Sequence, residues 1–552
     1  MTGGEKSASG TAYAEELVGL SEEFRRWRTA SQADSHDDVP RVARPEGWVA
    51  DWSAEAVEER RRRLAEFAAR HRALELGGEP VAVQVDGRLL GAALDKVHWE
   101  LDMVRGWQRN PCFYLDQALV AVYELLLEPP PFGPERAAAV LRHLRQVPEV
   151  LRQARANLAE HAAAPFAAYA RRLLDRGPED VRRAMAALAP LLPAPYAAEL
   201  PALAEETAGH LAAFRAWLEG REFGGTTAIG TEALAFYLHR VALLPYGPEQ
   251  LRAHARGEYA RAVALEESWR SRAPGRESAG AGTLVERQAV QEAEVRGFCA
   301  ERGLLRLPAD LRRYRFAPMP PYLAPLTWLG VPHYLASPEH AREDAVRYVP
   351  EPGPGLSYFE QAKVLDPRTG IVHEGVHAHQ LALSWQHSDP VRRHFHDSVP
   401  NEGLAFHHEE LTLTAGLFDD APASGAFLAN SMRLRALRVD VDLGLALGDL
   451  ALEEAAAQLA ERVPVDHATA WQEAVLFSAA PGQGLSYQAG KTQILDLLAA
   501  AREEQGDAFD LAGFHDRLWR EGNVPLALQR WELLGRSDHV EEAGRLAGRA
   551  AV

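Results

Sequence analysis

The sequence predicts a mainly α protein, built as two helical lobes around a deep cleft with a short β or extended segment lining it. Three observations carry that expectation. Apolar residues recur three and four apart through most of the chain, as in Leu141, Leu144, Val147 and Leu151, which is the spacing of one helix face. Prolines fall between such stretches, at 129–131, 190–195 and 245–248, where helices are expected to stop. The pattern is interrupted once, between 308 and 354, by ten prolines and an aromatic-rich run, Tyr322 to Trp328.

Taken in order, residues 1–45 read as a polar, Gly- and Ser-bearing N-terminal extension, disordered in part or laid on the surface as a short helix. Residues 46–300, rich in Ala, Leu, Glu and Arg, read as an N-terminal helical lobe. Residues 301–365 form the Pro-rich segment, in which 322–328 is expected as an edge strand or an extended, cleft-lining stretch. Residues 366–552 return to helical patterning, broken by Pro464 and by the loop Pro481-Gly-Gln-Gly484.

Composition narrows the function. The 552 residues carry 60 Lys+Arg against 78 Asp+Glu, a net charge of −18, which disfavours a partner made of phosphate backbone. The Arg60–Arg63 run sits among Glu58, Glu59, Leu64 and Phe67 at helical spacing and reads as a solvated helix face. Apolar runs are broken well short of the roughly 18 residues that span a membrane. No signal peptide is visible, and Cys112 and Cys299 make neither a disulfide framework nor a Cys-rich metal site. A cytoplasmic protein acting on small molecules is the expectation; oligomeric state is not readable.

The chemistry concentrates at Ile371-Val-His-Glu-Gly-Val-His-Ala-His379, which contains His373-Glu374-x-x-His377. On a helix, residues i and i+4 share a face, so two imidazoles can bind one metal while Glu374 addresses a water on it as general base. Zinc is the default ion, with other divalent metals possible. Twenty-five residues beyond His377 comes Asn401-Glu402-Gly-Leu-Ala405, which resembles the segment that supplies the third ligand, a glutamate, in zinc aminopeptidases. Eight of the 21 histidines fall between 373 and 408, so most of them must do something else; His387, His394 and His396 are expected to be structural. The stretch Gly484 to Thr492 imitates a phosphate-binding loop but has five residues between its glycines, where that loop needs four. Neither a nucleophilic serine elbow nor a cysteine motif is present.

Further ordered stretches accompany these: Pro111-Cys-Phe-Tyr114, Arg145-Gln-Val-Pro148, Arg438-Val-Asp-Val-Asp442, Pro481 to Lys491, Phe514-His-Asp516 and Gly522-Asn-Val-Pro-Leu526. With them the chain resembles, over about residues 46–540, the bacterial "domain of unknown function 885" family, regarded as zincin-like metallopeptidases of the gluzincin type. The resemblance implies a zincin-like active-site helix, one zinc ion and a short peptide or peptide-like substrate. It implies metal ligation by His373, a second histidine and Glu402. The second histidine stays open: helical spacing favours His377, whereas the family's own second histidine aligns with His379.

Departures from the family affect the other roles. Leu404 and His407 replace an aromatic residue and a tyrosine, and Leu476-Phe477 replaces an Arg-Tyr pair. His407, Arg438 and Tyr487 are therefore expected to supply catalytic polar groups, with Tyr487 donating to a developing oxyanion. His408, Gln483 and Lys491 are expected at the substrate, Lys491 alternatively as a structural charge. Glu409 or Asp397 is expected to orient a ligand histidine. The expected function is a zinc-dependent hydrolase of short peptides or peptide-like amides. Alternatives are a metal-dependent tailoring enzyme of specialised metabolism acting on a non-peptide amide or conjugate, and a non-catalytic helical binding protein.

Overall fold

The computed structural model describes residues 12–35, 43–272, 282–335, 341–353, 355–393, 395–463 and 465–550. Its helices enclose two principal apolar cores. One is assembled from residues before 220, and Tyr322, Leu323, Leu326, Leu329 and Tyr348 complete it. The other is assembled from helices after 262, with Tyr314 and Phe316 joining from the sheet. No helix of the described residues is long and apolar enough to cross a membrane.

The first core grows around helix Pro111–Leu127, which opens with Pro111 in its first turn and Asn110 as cap, the Asn110 side chain accepting from Cys112 N at 2.9 Å. It is apolar nearly all round, which a helix can be only when covered on every side. Helix Ala12–Ser31 is one of the covers: Leu17, Leu20 and Phe24 lie in this core, so the expected polar extension contains a packed amphipathic helix. The spacing of those three residues is helical but is diluted by polar neighbours.

His143, under Trp48 in the same region, is pushed down to about 4 by burial, with Arg142 adding to the effect. A neutral folded imidazole beside an unfolded value near 6.5 makes stability fall as pH drops from 6.5 to 4. The loss is on the order of 3 kcal/mol once complete. Melting temperature is expected to drop between pH 7 and pH 4.5, and His143→Gln to flatten part of that slope.

The Pro-rich segment supplies a small sheet of order β1-β3-β2. β1 (Tyr314–Pro318) runs parallel to β3 (Ala345–Val349), and β2 (His333–Tyr334) runs antiparallel to β3, with Phe316 and His333 both facing Arg347 in register. The expected extended run at 322–328 is instead a 3₁₀ helix, Ala324–Leu329. Leu323, Leu326 and Leu329 recur every third residue and all enter the first core; at three residues per turn they share one face.

In the second core, helices Ser398–Thr414 and Gln483–Gln505 cross at two glycines. A Cβ on Gly403 would lie 2.5 Å from Gly490 Cα, and one on Gly490 would lie 2.1 Å from the Val399 carbonyl oxygen. The backbones touch because neither residue has a side chain. The turn before Gln483 is pinned by Asp442, which accepts from Gly482 N at 3.0 Å and Leu485 N at 2.9 Å. Gly482 itself has φ 97° and lies against the Tyr237 ring, a place no side chain fits.

Candidate metal centre

The motif lies where the chain turns from Arg368–Gly370 through a π-helical turn, Ile371–Gly375, into the α-helix Val376–Trp385. π turns inside α-helices occur frequently at functional sites. His373 and Glu374 lie in the wide turn, and His377 and His379 in the regular helix.

His373, His377 and Glu402 offer ligand atoms that all lie within 4.8 Å of one another. Glu402 Oε2 is 3.1 Å from His377 Nε2 and 3.5 Å from His373 Nε2. Donors held about 2.0 Å from a tetrahedral ion are separated by about 3.3 Å, so these spacings match such a set. His377 Nε2 and Glu402 Oε2 are both buried and lie at ion-pair distance without hydrogen-bond alignment, as do His373 Nδ1 and Glu409. Burying two such atoms face to face is costly unless something satisfies both.

The remaining atoms of the set are held in place. His373 Nδ1 lies 2.6 Å from Glu409 Oε1, and Glu409 accepts from Arg435 at 3.0 Å. Tyr487 stacks on the His373 ring at 6.0 Å. Gln483 Nε2 donates to Glu402 Oε1 at 3.3 Å, leaving Oε2 for the histidines. Burial raises the Glu402 carboxyl, but the His377 and His373 rings outweigh it and hold it well below the usual range.

Glu374 faces a different set of partners. Tyr314 Oη, on β1, donates to its Oε2 at 2.6 Å, Lys363 ion-pairs with Oε1, and Arg347, on β3, lies 3.8 Å from Oε2. Burial works against its charge, yet Arg347 and Lys363 keep it ionised far below the usual carboxylate range. The Lys363 stem reaches it by crossing Gly370, where a Cβ would crowd the stem at 3.2 Å. Lys363, Glu374, His373, Glu409 and Arg435 share a pocket of about 50 Å³, room for a few waters. Tyr314, Arg347, Lys363 and Arg435 escape a sequence reading because they sit on other elements and carry no motif.

Other expected residues lie elsewhere. His379 faces away: from Val376 onward the helix is regular, and its Nε2 takes a hydrogen bond from Arg296 at 2.9 Å. His407 donates to His515 Nε2 at 3.0 Å, since His515 Nδ1 is engaged by the Leu304 carbonyl. His408 donates to the Val372 carbonyl at 2.9 Å, with Cys299 Sγ at 3.6 Å on its other nitrogen. Neither is brought into the His373, His377 and Glu402 cluster, and both rings are engaged by the partners just named. Arg438 forms a two-pronged pair with Glu473 and lies 4.7 Å from the Tyr487 ring centre, which places it behind Tyr487 rather than at the ligand atoms. Asp397 caps helix Ser398–Thr414 through Val399 N, so Glu409 alone orients a histidine of the set. His394 lies outside the described residues.

Lys491 has no exposed surface and pairs with Glu258 and Glu410, both at 2.5 Å, over the Phe406 ring. Its burial and its two carboxylate partners suit a structural charge. Lys491→Met leaves two carboxylates with Arg261 as their remaining partner, and is expected to cost about 3–5 kcal/mol of stability. Denaturant unfolding checks it.

A larger cavity, about 690 Å³, lies beyond Gln483, whose side chain lines it while holding Glu402. His373, His377 and Glu402 themselves are not in its wall.

Comparison with known proteins begins with a bacterial family of proteins of unknown function, DUF885, whose pattern matches residues 41–533. The chain belongs to that family. Two solved structures share the fold of this DUF885 protein. One is from Shewanella oneidensis, described as a candidate lipoprotein of unknown function, with a TM-score of 0.68 and 16% identity over 95% of this chain and 100% of that one. The other is from Colwellia psychrerythraea, also described as a candidate lipoprotein, with a TM-score of 0.61 and 15% identity over 97% and 99%. None of the curated proteins matches the chain.

Proposed function

We propose that this DUF885 protein is a metal-dependent hydrolase of short peptides or peptide-like amides, zincin-like in its active-site helix, with the metal held by His373, His377 and Glu402. The observation that carries the reading is the buried pair His377 Nε2 and Glu402 Oε2, 3.1 Å apart without hydrogen-bond alignment, beside His373. Two imidazoles and one carboxylate are the donor set of a catalytic zinc site. When bound, such an ion supplies a Lewis acid that polarises a carbonyl and acidifies water.

The chain's own residues would supply the rest. Glu409, backed by Arg435, fixes the His373 ring through Nδ1 and so turns Nε2 towards the set. Glu374 is ionised and takes up a proton at its carboxylate. Tyr314 and Lys363, which hold its two oxygens, are donors from which a leaving nitrogen can be protonated. Arg438 braces Tyr487, and Tyr487 braces the His373 face. A cytoplasmic setting stays part of the proposal on the strength of two separate, buried free thiols, Cys112 and Cys299. Recovery in a membrane or periplasmic fraction, in line with neighbours described as candidate lipoproteins, would overturn that part.

The test is a panel of di-, tri- and tetrapeptides offered to the purified protein, with metal content measured in parallel. Glu374→Gln is expected to retain the metal and lose at least 10²-fold in turnover, the scale of one general acid–base group. Turnover unchanged in Glu374→Gln, or no metal in the wild type, rejects the reading.

A further inference from the structure

The 690 Å³ cavity has a size that suits a ligand of several residues, within the roughly 300–1,000 Å³ of small-molecule sites. Two aromatic pairs line it, one beside Gln483 and the other beside Arg60. Trp99 and Tyr237 pack ring to ring at 4.9 Å, and Tyr237 lies on Gly482, next to Gln483 and hence to Glu402. Trp52 and Phe113 meet edge to face at 4.6 Å, and the Arg60 guanidinium lies 4.3 Å over the Trp52 ring.

Among the described residues Arg60, like Arg25 and Lys96 of the same wall, forms no ion pair, and of these three it is the one held over an aromatic ring. Arg28 and Arg44 are ion-paired, with Glu100 and Asp34 respectively. Arg60 donates from Nε to the Ser31 carbonyl at 3.2 Å, and its Nη1 is buried with no hydrogen-bond partner. No carboxylate among the described residues forms an ion pair with it. Burial, the largest influence, pulls it down to about 10, so it stays charged at neutral pH. A buried guanidinium held against an aromatic face with one prong unsatisfied is costly for the fold, and a planar anion relieves that cost.

We infer that this cavity binds short peptides or peptide-like acids bearing aromatic side chains, and that Arg60 anchors their free carboxylate. The guanidinium fork receives the two carboxylate oxygens, and the paired rings receive the apolar side chains. Gln483, in the same wall, lies one side chain from the ligand set. This deepens the hydrolase reading and rests on it for the fate of the ligand, while binding itself does not depend on the metal.

Acetyl-Phe-Gly-Phe as free acid and as C-terminal amide are titrated into the full-length protein and followed by tryptophan fluorescence, with wild type, Arg60→Gln, Arg60→Lys and His377→Ala compared. The acid is expected to bind wild type at least tenfold tighter than the amide. That preference should fall below threefold in Arg60→Gln, be intermediate in Arg60→Lys, which keeps the charge but loses the fork, and persist in His377→Ala. Equal binding of acid and amide by wild type, a tenfold preference retained in Arg60→Gln, or no binding of either peptide overturns the inference. Should Arg60→Gln not fold, a full preference in Arg60→Lys does the same. Acid preference in a wild type that holds no metal sinks the hydrolase reading and leaves the anchor standing; metal and turnover without acid preference do the reverse.

Discussion

Elemental analysis of dialysed protein is expected to find close to one zinc per chain in wild type and in His379→Ala, and less than a tenth of that in His377→Ala and Glu402→Gln. The two histidines are two residues apart, yet only His377 presents a free ring nitrogen to Glu402, 3.1 Å away. His379 Nε2 is already bonded to Arg296 and lies 3.7 Å from Glu292. Removing one of the three proposed protein ligands eliminates a third of the protein's donors and leaves a buried partner unpaired, so affinity should fall by several orders of magnitude. Glu409→Gln is the graded control: it keeps every ligand but loses the ionised partner of His373 Nδ1. A loss of 10- to 100-fold in affinity is expected there. Metal retained in His377→Ala and lost in His379→Ala would reverse the assignment.

Gly490→Ala is expected to be among the most damaging single methyl additions at the described glycines. The added carbon would sit 2.1 Å from the Val399 carbonyl and 2.7 Å from Gly403 Cα, both backbone atoms of the facing helix, so no side chain can turn aside to make room. The helices must separate, and everything that crosses between them goes with the separation. Glu402 is the neighbour of Gly403, and Gln483, its hydrogen-bond donor, lies on the helix that carries Gly490. Destabilisation of about 3 kcal/mol or more is expected, the upper part of the overpacking range. Zinc content should drop in the fraction that still folds. Gly403→Ala should act alike, since it meets Gly490 Cα at 2.5 Å. Gly209→Ala, in open space on helix Ala194–Glu219, should change stability by less than about 1 kcal/mol, in the favourable direction. Thermal melts with metal analysis on the same samples measure both effects.

The Gly beside Glu402 shows how sequence and structure divide. A glycine permits a close helix approach, but no local spacing names the partner, which is the helix of Gly490, 87 residues on by sequence number. His407 and His408 show the same division. They sit on the helix of Glu402, and their spacing gave no sign that His515 and the Val372 carbonyl would occupy them. The 3₁₀ turn at Ala324–Leu329 was concealed by prolines and aromatics that suit an extended chain equally well. Conversely, the sequence places Arg60 on a solvated face with Arg62 and Arg63, because a four-residue Arg run gives each member the same local context.

By itself the sequence determined the helical character of the chain, its membership of a bacterial family and the i, i+4 spacing of His373 and His377. Those properties are written in residues within a turn or two of each other, where backbone geometry alone relates them. The tertiary structure alone decided which histidine meets Glu402, which groups hold Glu374 and where an unpaired guanidinium faces a cavity. Tyr314 meets Glu374 across 60 residues and Gln483 meets Glu402 across 81. Contacts of that range are fixed by how whole helices pack, through close approaches such as Gly403 on Gly490, and no local spacing encodes them.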